Sequence, residues 1–159
     1  MSASSSRHRG VATPCGLEEG VLADLLGYQI VQAELATHRV YMQHIGEPMQ
    51  LKSVEFTILM LLLANREVTG KWLCDALALS APNLTILIDR LQERDLIQRV
   101  RSETDRRFQY LNLTIAGLAL ASRAQREAAT MEDELRDVLS AAERAMLVEL
   151  LSKVARHRP

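Results

Sequence analysis

Arginine side chains are concentrated in one short segment of the chain, and an arginine can hold a phosphate group through two parallel hydrogen bonds. Between residues 97 and 110, four arginines oppose two carboxylates, which gives this segment a net charge of +2. Between residues 127 and 149, seven acidic residues oppose two arginines, for a net charge of −5. The whole chain has a formal charge of only −1, so any attraction to a polyanion must come from the first segment. The sequence therefore predicts one cationic end and one acidic end.

A second group of side chains able to contact a partner belongs to a predicted amphipathic helix that follows Ser80. Ser80 is a favourable N-cap, and Pro82 falls in the first turn, where its missing N–H costs nothing. Apolar residues spaced i, i+3, i+4 and i+7 form the inner face: Leu84, Leu87, Ile88 and Leu91. The outer face carries the side chains left for a partner: Pro82, Asn83, Thr85, Ile86, Asp89, Arg90 and Glu93.

The periodicity changes from helical to alternating after this helix. Side chains alternate over residues 97–101 and again over residues 107–113, with the polar segment Ser-Glu-Thr-Asp between them. This pattern predicts a β-hairpin with a basic tip. A helix fits the major groove of DNA, and an arginine-bearing hairpin can reach phosphates or the adjacent minor groove.

Composition favours a mostly helical protein around these two elements. Only 4% of the 159 residues are aromatic, and seven Gly and four Pro are few for the turns of a β-sandwich or barrel. Residues 1–16 are rich in Ser and basic residues, which predicts a flexible tail. Helical spacing then predicts a long helix over residues 17–45, ended by Gly46 and Pro48, with His38 within its apolar seam. Further helices are predicted over residues 53–64, 68–79, 114–139 and from 140 onward.

Three local signals refine these helices. Ser140 and Glu143 have the spacing of a capping box, which predicts the start of the last helix. Thr114 is an N-cap candidate for the helix before it. Trp72, in the helix predicted over residues 68–79, is expected to pack in the core because a tryptophan buries a large area.

Several function classes lack their sequence signals. Cys15 and Cys74 form neither a disulfide framework nor a zinc-binding spacing, which fits a reducing cytoplasm. The apolar run over residues 56–64 is far shorter than a membrane span. The sequence contains no Gly-rich phosphate loop and no Gly-x-Ser-x-Gly motif. We therefore expect a cytoplasmic protein that is not an enzyme and carries no metal or other cofactor.

From about Leu22 to Ala121, and most densely between Ser80 and Gly117, the chain resembles the MarR-type winged helix-turn-helix transcriptional regulators. The resemblance depends on the helix after Ser80, Asp-Arg-Leu at residues 89–91, Asp-Arg-Arg at 105–107 and Leu-Thr-x-x-Gly at 113–117. Each motif alone is weak, but their order is specific. Two residues depart from the family pattern: Asp95 replaces the usual Gly before the first wing strand, and Ile86 occupies a position that is often basic or polar. Asp is tolerable at position 95 because it adopts left-handed conformations more readily than most residues.

The resemblance implies a mostly α fold with a small β-wing. Residues 17–50 and 114–159 would form a helical dimerisation region, and residues 51–113 a winged helix-turn-helix lobe that binds DNA. The family also implies a homodimeric, ligand-responsive repressor that is released from a pseudo-palindromic operator by a small molecule, often an aromatic acid or its derivative.

The DNA-binding roles follow from side-chain chemistry and are hypotheses. Asn83 and Thr85 would read base edges or contact phosphates, and Ile86 would meet a thymine methyl group. Arg90 and Arg99 would anchor the DNA backbone, and two wing residues would insert or clamp there: Arg106 and Arg107. Two residues at the start of the predicted amphipathic helix complete the set of predicted DNA contacts: Ser80 and Pro82. The alternative is that these arginines form a solvated hairpin that only keeps the domain soluble.

A ligand pocket is predicted between the dimerisation helices and the DNA-binding lobe. Tyr28, His38, Arg39 and Tyr41 would supply the few polar groups that a mostly apolar pocket needs. The simpler interpretation of His38 is a core or interface residue with a satisfied hydrogen bond. Peroxide sensing by Cys15 is a less favoured alternative, because exposure alone does not lower the pKa of a thiol.

One alternative function shares the same shape. A winged-helix domain can bind another protein instead of DNA, and the acidic Asp89 and Glu93 on the outer face of the helix would suit such a partner.

Overall fold

The computed structural model describes residues 16–101 and 108–157, and it is mostly helical with one small antiparallel sheet. The chain divides into two compact units, Met1–Arg39 and Val40–Pro159. The α-helices are α1 (Leu26–Tyr41), α2 (Glu47–Met49), α3 (Ser53–Ala64), α4 (Gly70–Leu77), α5 (Ala81–Glu93), α6 (Ile115–Thr130) and α7 (Ala141–Arg156). The strands are β1 (Val68–Thr69), β2 (Ile97–Arg101) and β3 (Gln109–Leu113). Two short 3-10 helices, Gly20–Asp24 and Met131–Asp137, and a π-helical turn, Met42–Gly46, complete the elements.

The long first helix predicted from the sequence is interrupted at both ends. Gly20 has a left-handed φ of 53° and opens a 3-10 helix, and the extended Leu25 separates it from α1. At the other end, the helical path does not stop at Gly46 but passes through the π turn into α2. A π turn relaxes the i→i+4 ladder, which accommodates Pro48 without the clash that a regular helix would impose. The path ends at Gln50, whose φ is 51°.

The helix predicted over residues 68–79 is a short strand followed by α4. Val68 and Thr69 pair with β3, opposite Leu111 and Tyr110. The Thr69 side chain then accepts a hydrogen bond from Trp72 N at 3.3 Å and caps α4. The prediction for Trp72 is wrong, because its side chain is 59% exposed in the first turn of α4.

The N-cap residues predicted for the last two α-helices are confirmed, and the first of these helices is shorter than predicted. The Thr114 and Ser140 side chains cap α6 and α7, and Glu143 completes the capping box at α7. Two hydrogen bonds from Ser140 lower the pKa of the Glu143 carboxyl. The helix from Thr114 ends at Thr130, where a 3-10 helix begins, and does not reach residue 139.

The core lies between α3, α4, α5, α6 and the sheet. Its most completely buried large side chains are Ile45, Ile58, Leu59, Leu73 and Leu91. The sheet order is β1–β3–β2, with Ile97 opposite Leu113 and Arg99 opposite Leu111. The inner side of the sheet therefore packs on α5, and this contact fixes the position of the wing strands relative to that helix.

The end of α5 is a Schellman motif built on Asp95. Leu96 N donates to Leu91 O at 2.9 Å, and Asp95 N donates to Gln92 O at 2.8 Å. Leu91 and Leu96 are both buried, which supplies the apolar contact that accompanies this motif. Asp95 has a φ of 54°, so the predicted left-handed conformation at this departure from the family pattern is confirmed.

Gly117 allows α6 to start against the same turn. A Cβ atom placed on Gly117 would lie 1.7 Å from Leu96 O and 2.7 Å from Leu96 C. The Thr114 side chain donates to Asp95 O at 2.5 Å, and Thr114 N donates to Leu96 O at 3.2 Å. The Leu-Thr-x-x-Gly segment therefore binds α6 to the junction between α5 and the wing.

A partly buried polar network holds the other end of this junction. Arg94, which follows α5, donates to Gln50 O at 2.8 Å and to Met49 O at 3.2 Å. It also lies 3.8 Å from the buried carboxylate of Glu55. The buried Tyr41 hydroxyl donates to Leu51 O at 2.9 Å. Burial, and secondly the negative charge of Glu55, raises the pKa of Tyr41 to about 12.

We expect Tyr41→Phe to destabilise the protein by roughly 1–2 kcal/mol at neutral pH, because Leu51 O loses its side-chain partner. The pKa of Tyr41 lies above its ordinary value of 10.0, so the folded state keeps a proton that the unfolded state loses in alkali. This contribution is complete below pH 10 and is lost as the pH rises to about 12. Urea unfolding from neutral to alkaline pH should show a steeper alkaline loss for wild type than for Tyr41→Phe. Tyr28→Phe is the matched control, and equal slopes for wild type and Tyr41→Phe would contradict the assignment.

Candidate nucleic-acid interface

The outer face of α5 is open in the structure. Leu84, Ile88 and Leu91 are buried, as their spacing predicts. Ser80 caps the helix, with its Oγ accepting from Asn83 N at 3.5 Å. The exposed side chains are those predicted to face a partner: Pro82, Asn83, Thr85, Ile86, Asp89, Arg90 and Glu93. The helix therefore presents a mostly polar surface on which Pro82 and Ile86 are the apolar members of the predicted set.

Three residues near the start of α5 have distinct chemistry. The Thr85 hydroxyl donates to Ala81 O at 2.9 Å, so only its lone pairs and its methyl group remain for a ligand. Ile86 is 52% exposed, although it is apolar. In the part of the chain that the structure describes, the Asn83 amide has no hydrogen-bond partner and keeps both its donors and its acceptor. This combination suits base edges, which offer amino groups, acceptors and thymine methyl groups.

Asp89 forms an ion pair with Arg99 that joins α5 to β2. Arg99 Nη2 lies 2.7 Å from Asp89 Oδ1, and both side chains are partly exposed. Arg99 was predicted to anchor the DNA backbone, and Asp89 was predicted to suit a protein partner. The structure shows that Asp89 orients Arg99, which weakens that argument for a protein partner. No spacing rule reveals this pair, because it depends on how β2 crosses α5.

The remaining predicted DNA contacts divide into two groups. Arg90 is exposed in the last turn of α5 and forms no ion pair among the residues that the structure describes. Arg101, at the end of β2, was not among the predicted contacts and is exposed as well. Arg106 and Arg107 lie outside the described residues.

The predicted ligand residues are not equivalent. Tyr41 is buried, its hydroxyl is bonded to Leu51 O, and its ring packs 5.6 Å from that of Phe56. The Tyr41 side chain is thus packed in the core with its hydroxyl bonded, and its role in a ligand pocket stays a prediction. Tyr28 and Arg39 share one face of α1, but eleven residues separate them by about 16 Å along the helix axis.

Tyr28 and His38 each lie near a carboxylate of their own segment. The half-buried Tyr28 hydroxyl donates to Glu19 at 3.2 Å. His38 is exposed and lies 3.8 Å from Glu34 one turn earlier, so it is not a core residue within this chain. A ligand that binds Tyr28 or His38 would therefore replace these contacts or add to them.

Within residues 16–101 and 108–157, no three His, Cys, Asp or Glu side chains are grouped so that they could hold a metal ion. No helix in those ranges has the length and apolar content needed to cross a bilayer.

Known proteins match this arrangement in both sequence and structure. The MarR family model matches residues 49–107, from the end of α2 to the wing. The transcriptional regulator MhqR of Bacillus subtilis is 31% identical over 104 residues, which cover 65% of this chain and 72% of MhqR. The chain belongs to the MarR family. This MarR-family protein is a regulator of transcription, as its relatives are, and they are not enzymes.

Solved structures of the repressor CouR extend the similarity over most of the chain. CouR bound to a DNA duplex is 34% identical, with a TM-score of 0.80, and the match covers 87% of this chain and 98% of CouR. CouR bound to p-coumaroyl-CoA is 32% identical, with a TM-score of 0.79 and coverage of 89% and 99%. The winged helix-turn-helix fold and the DNA-binding character of this MarR-family protein agree with these relatives.

Proposed function

We propose that the protein is a homodimeric repressor that binds a pseudo-palindromic operator and is released from it by a small molecule. The open outer face of α5, next to the arginines of β2, carries this proposal. In each protomer, residues 51–113 form the DNA-binding lobe, and α5 enters the major groove. Asn83, Thr85 and Ile86 contact base edges, and Arg90 and Arg99 hold phosphates.

The DNA-bound CouR structure supports this use of the lobe, because it shows a relative of the same fold on a duplex. The Asp89 carboxylate keeps Arg99 beside α5, where a phosphate oxygen can take its place or share the guanidinium. The acidic segment over residues 127–149 would be repelled by DNA and so favours the orientation in which the wing faces the duplex.

The apolar surface of α7 supports a homodimer. Every residue of α7 is exposed in the described single chain, yet four apolar side chains recur on one side of it: Leu147, Leu150, Leu151 and Val154. A continuous apolar stripe on a monomer marks an interface. A second copy of the same helix covers it with two-fold symmetry, and a two-fold protein requires a pseudo-palindromic site with half-sites about 34 Å apart. Residues 17–50 and 114–159 form this dimerisation region in the proposal.

The effector in this proposal is an aromatic acid or its derivative. The p-coumaroyl-CoA complex of CouR provides the support, since it shows a similar repressor with an aromatic acyl compound bound. The side chains proposed to contact such a ligand are Tyr28, His38, Arg39 and Tyr41, and the ligand would compete with or add to their present contacts. A ligand that changes the spacing of the two lobes lowers operator affinity without touching a DNA contact.

A salt titration tests the proposed DNA contacts. We expect Arg106→Ala combined with Arg107→Ala to reduce the slope of log K against log salt by about 2, because each phosphate contact contributes about one unit. The measurement is fluorescence anisotropy of a duplex from the region upstream of the protein's own gene. The matched control removes two arginines from the acidic segment, Arg136→Ala with Arg144→Ala, and should leave the slope unchanged. An unchanged slope in the wing variant would remove the wing from the mechanism, and no binding by wild type would favour a protein partner.

A further inference from the structure

Three of the six aromatic residues of the chain surround one open cavity in the DNA-binding lobe. The cavity has a volume of about 480 Å³, which falls within the range of small-molecule sites. Its aromatic walls are Trp72, Phe108 and Tyr110. Its polar lining consists of Glu67, Thr69, Lys71 and Gln109. The predicted effector residues of α1 are not part of it.

The strand register produces this aromatic surface. Thr69 of β1 and Val100 of β2 both lie opposite Tyr110 of β3, so these three side chains share one side of the sheet. Phe108 lies two residues before Tyr110 and therefore on the same side. Because Thr69 caps α4, the first turn of that helix brings Trp72 to the edge of the same surface. This side faces away from the core, into which Leu111 points from the other side.

Two of these aromatic side chains are largely exposed to solvent and do not contribute to the buried core. Trp72 is 59% exposed and Phe108 is 51% exposed. Exposed apolar area of this kind costs free energy in water, and a concave cluster of rings recovers it when a flat ring enters. The shape and chemistry of the walls therefore select a planar aromatic compound.

The polar lining fixes the charge of the ligand. Among the described residues, the Lys71 ammonium and the Glu67 carboxylate form no ion pair, and Trp72 Nε1 and the Tyr110 hydroxyl have no hydrogen-bond partner. One cation and one anion at the same cavity cancel, which disfavours a strongly charged ligand. A phenolic hydroxyl suits both groups, since it donates to Glu67 and accepts from Lys71.

From these observations we infer that the cavity between α4 and the outer side of the wing sheet binds a neutral, planar, hydroxylated aromatic compound of one or two rings. The ring stacks on Trp72 and Phe108, and the hydroxyl lies between Lys71 and Glu67. The inference does not depend on DNA binding, because the site is formed within a single DNA-binding lobe.

Fluorine NMR on the full chain provides a direct test, since the single tryptophan gives one signal after incorporation of fluorotryptophan. We expect titration with β-naphthol to shift the Trp72 signal saturably. Decahydro-β-naphthol, which carries a hydroxyl at the same ring position but is saturated and not planar, should cause no shift. Phe108→Leu should weaken β-naphthol binding by about fivefold, because a stacking partner is lost. Lys71→Met should weaken it as well, and Ile115→Ala, which truncates an apolar side chain outside the cavity, should leave it unchanged.

Three results would overturn the inference. The first is equal shifts from the planar and the saturated compound, which would indicate unspecific apolar adsorption. The second is an unchanged affinity in Phe108→Leu, which would place the ligand elsewhere. The third is a Trp72 signal that responds to duplex DNA or to protein concentration but not to β-naphthol, which would assign the surface to DNA or to a second copy. None of these results bears on the proposed operator binding, which the salt titration tests separately.

Discussion

Gly117→Ala is expected to reduce the free energy of unfolding by about 4 kcal/mol or more, which is exceptional for the addition of one methyl group. The new Cβ would lie 1.7 Å from Leu96 O, a backbone atom that cannot rotate away as a side chain can. To make room, α6 would have to leave the turn after α5. That movement would break the Thr114 hydrogen bonds to Asp95 O and Leu96 O and disturb the Schellman motif. Because this turn joins α5 to β2, DNA affinity should fall as well.

Gly27→Ala is the matched control for this substitution. Gly27 lies in α1, and a Cβ there would meet no atom within 4 Å. The same chemical change should therefore stabilise the helix by about 0.5–1 kcal/mol, since alanine has the higher helix propensity. Urea unfolding should be compared at one fixed protomer concentration, because dimerisation would add to the stability. A loss below about 1 kcal/mol for Gly117→Ala would contradict the close packing of α6 on Leu96.

Leu147→Glu combined with Leu151→Glu is expected to convert the proposed dimer into a monomer and to lower operator affinity by at least about 1000-fold. Two charges would enter the centre of the apolar stripe of α7, where a partner helix leaves them without water or counter-charge. A monomer engages only one half-site and loses the gain from a linked second contact. Sedimentation gives the oligomeric state, and anisotropy with the operator duplex gives the affinity.

The control for the dimer variant places the same charges on the opposite side of α7. Ala145→Glu with Ser152→Glu adds two carboxylates about half a turn away from the stripe, so it should leave both the dimer and the affinity nearly unchanged. A dimeric Leu147→Glu, Leu151→Glu protein would contradict the assignment of α7 to the interface. A monomer that keeps full operator affinity would contradict the need for two half-sites.

Helix α5 was predictable from the sequence because the signals that define it are local. Ser80 and Pro82 define its start within one turn, and Leu84, Ile88 and Leu91 define its buried face by spacing alone. The left-handed conformation of Asp95 was also predictable, since the departure from the family pattern occurs at a position that requires a positive φ. These features depend on residues that are close in the chain.

The features that could not be predicted depend on residues that are distant in the chain. Trp72 was predicted to lie in the core because of its size. The pairing of β1 with β3 instead places the first turn of α4, and Trp72 with it, at the protein surface. The hydrogen bond from Tyr41 to Leu51 O and the contact of its ring with Phe56 were likewise not visible in the sequence. Periodicity cannot indicate which partner a helix face meets. From the sequence, Gly117 was recognised only as part of a motif. The reason that this position requires glycine is the close approach of Leu96 O, which only the three-dimensional structure reveals.

The central claim is that the outer face of α5 reads the sequence of a DNA duplex. The most direct test is selection of bound duplexes from a random pool, followed by anisotropy titration of the selected duplex and a scrambled one. We expect wild type to prefer a two-fold symmetric selected sequence by at least about 100-fold. Asn83→Ala with Ile86→Ala should reduce this preference to below about 10-fold while leaving binding to the scrambled duplex unchanged, because phosphate contacts remain. Asn112→Ala with Ile115→Ala, which removes the same residue types from outside α5, should keep the preference. Full sequence preference in the Asn83→Ala, Ile86→Ala protein, or no enriched sequence for wild type, would contradict the claim.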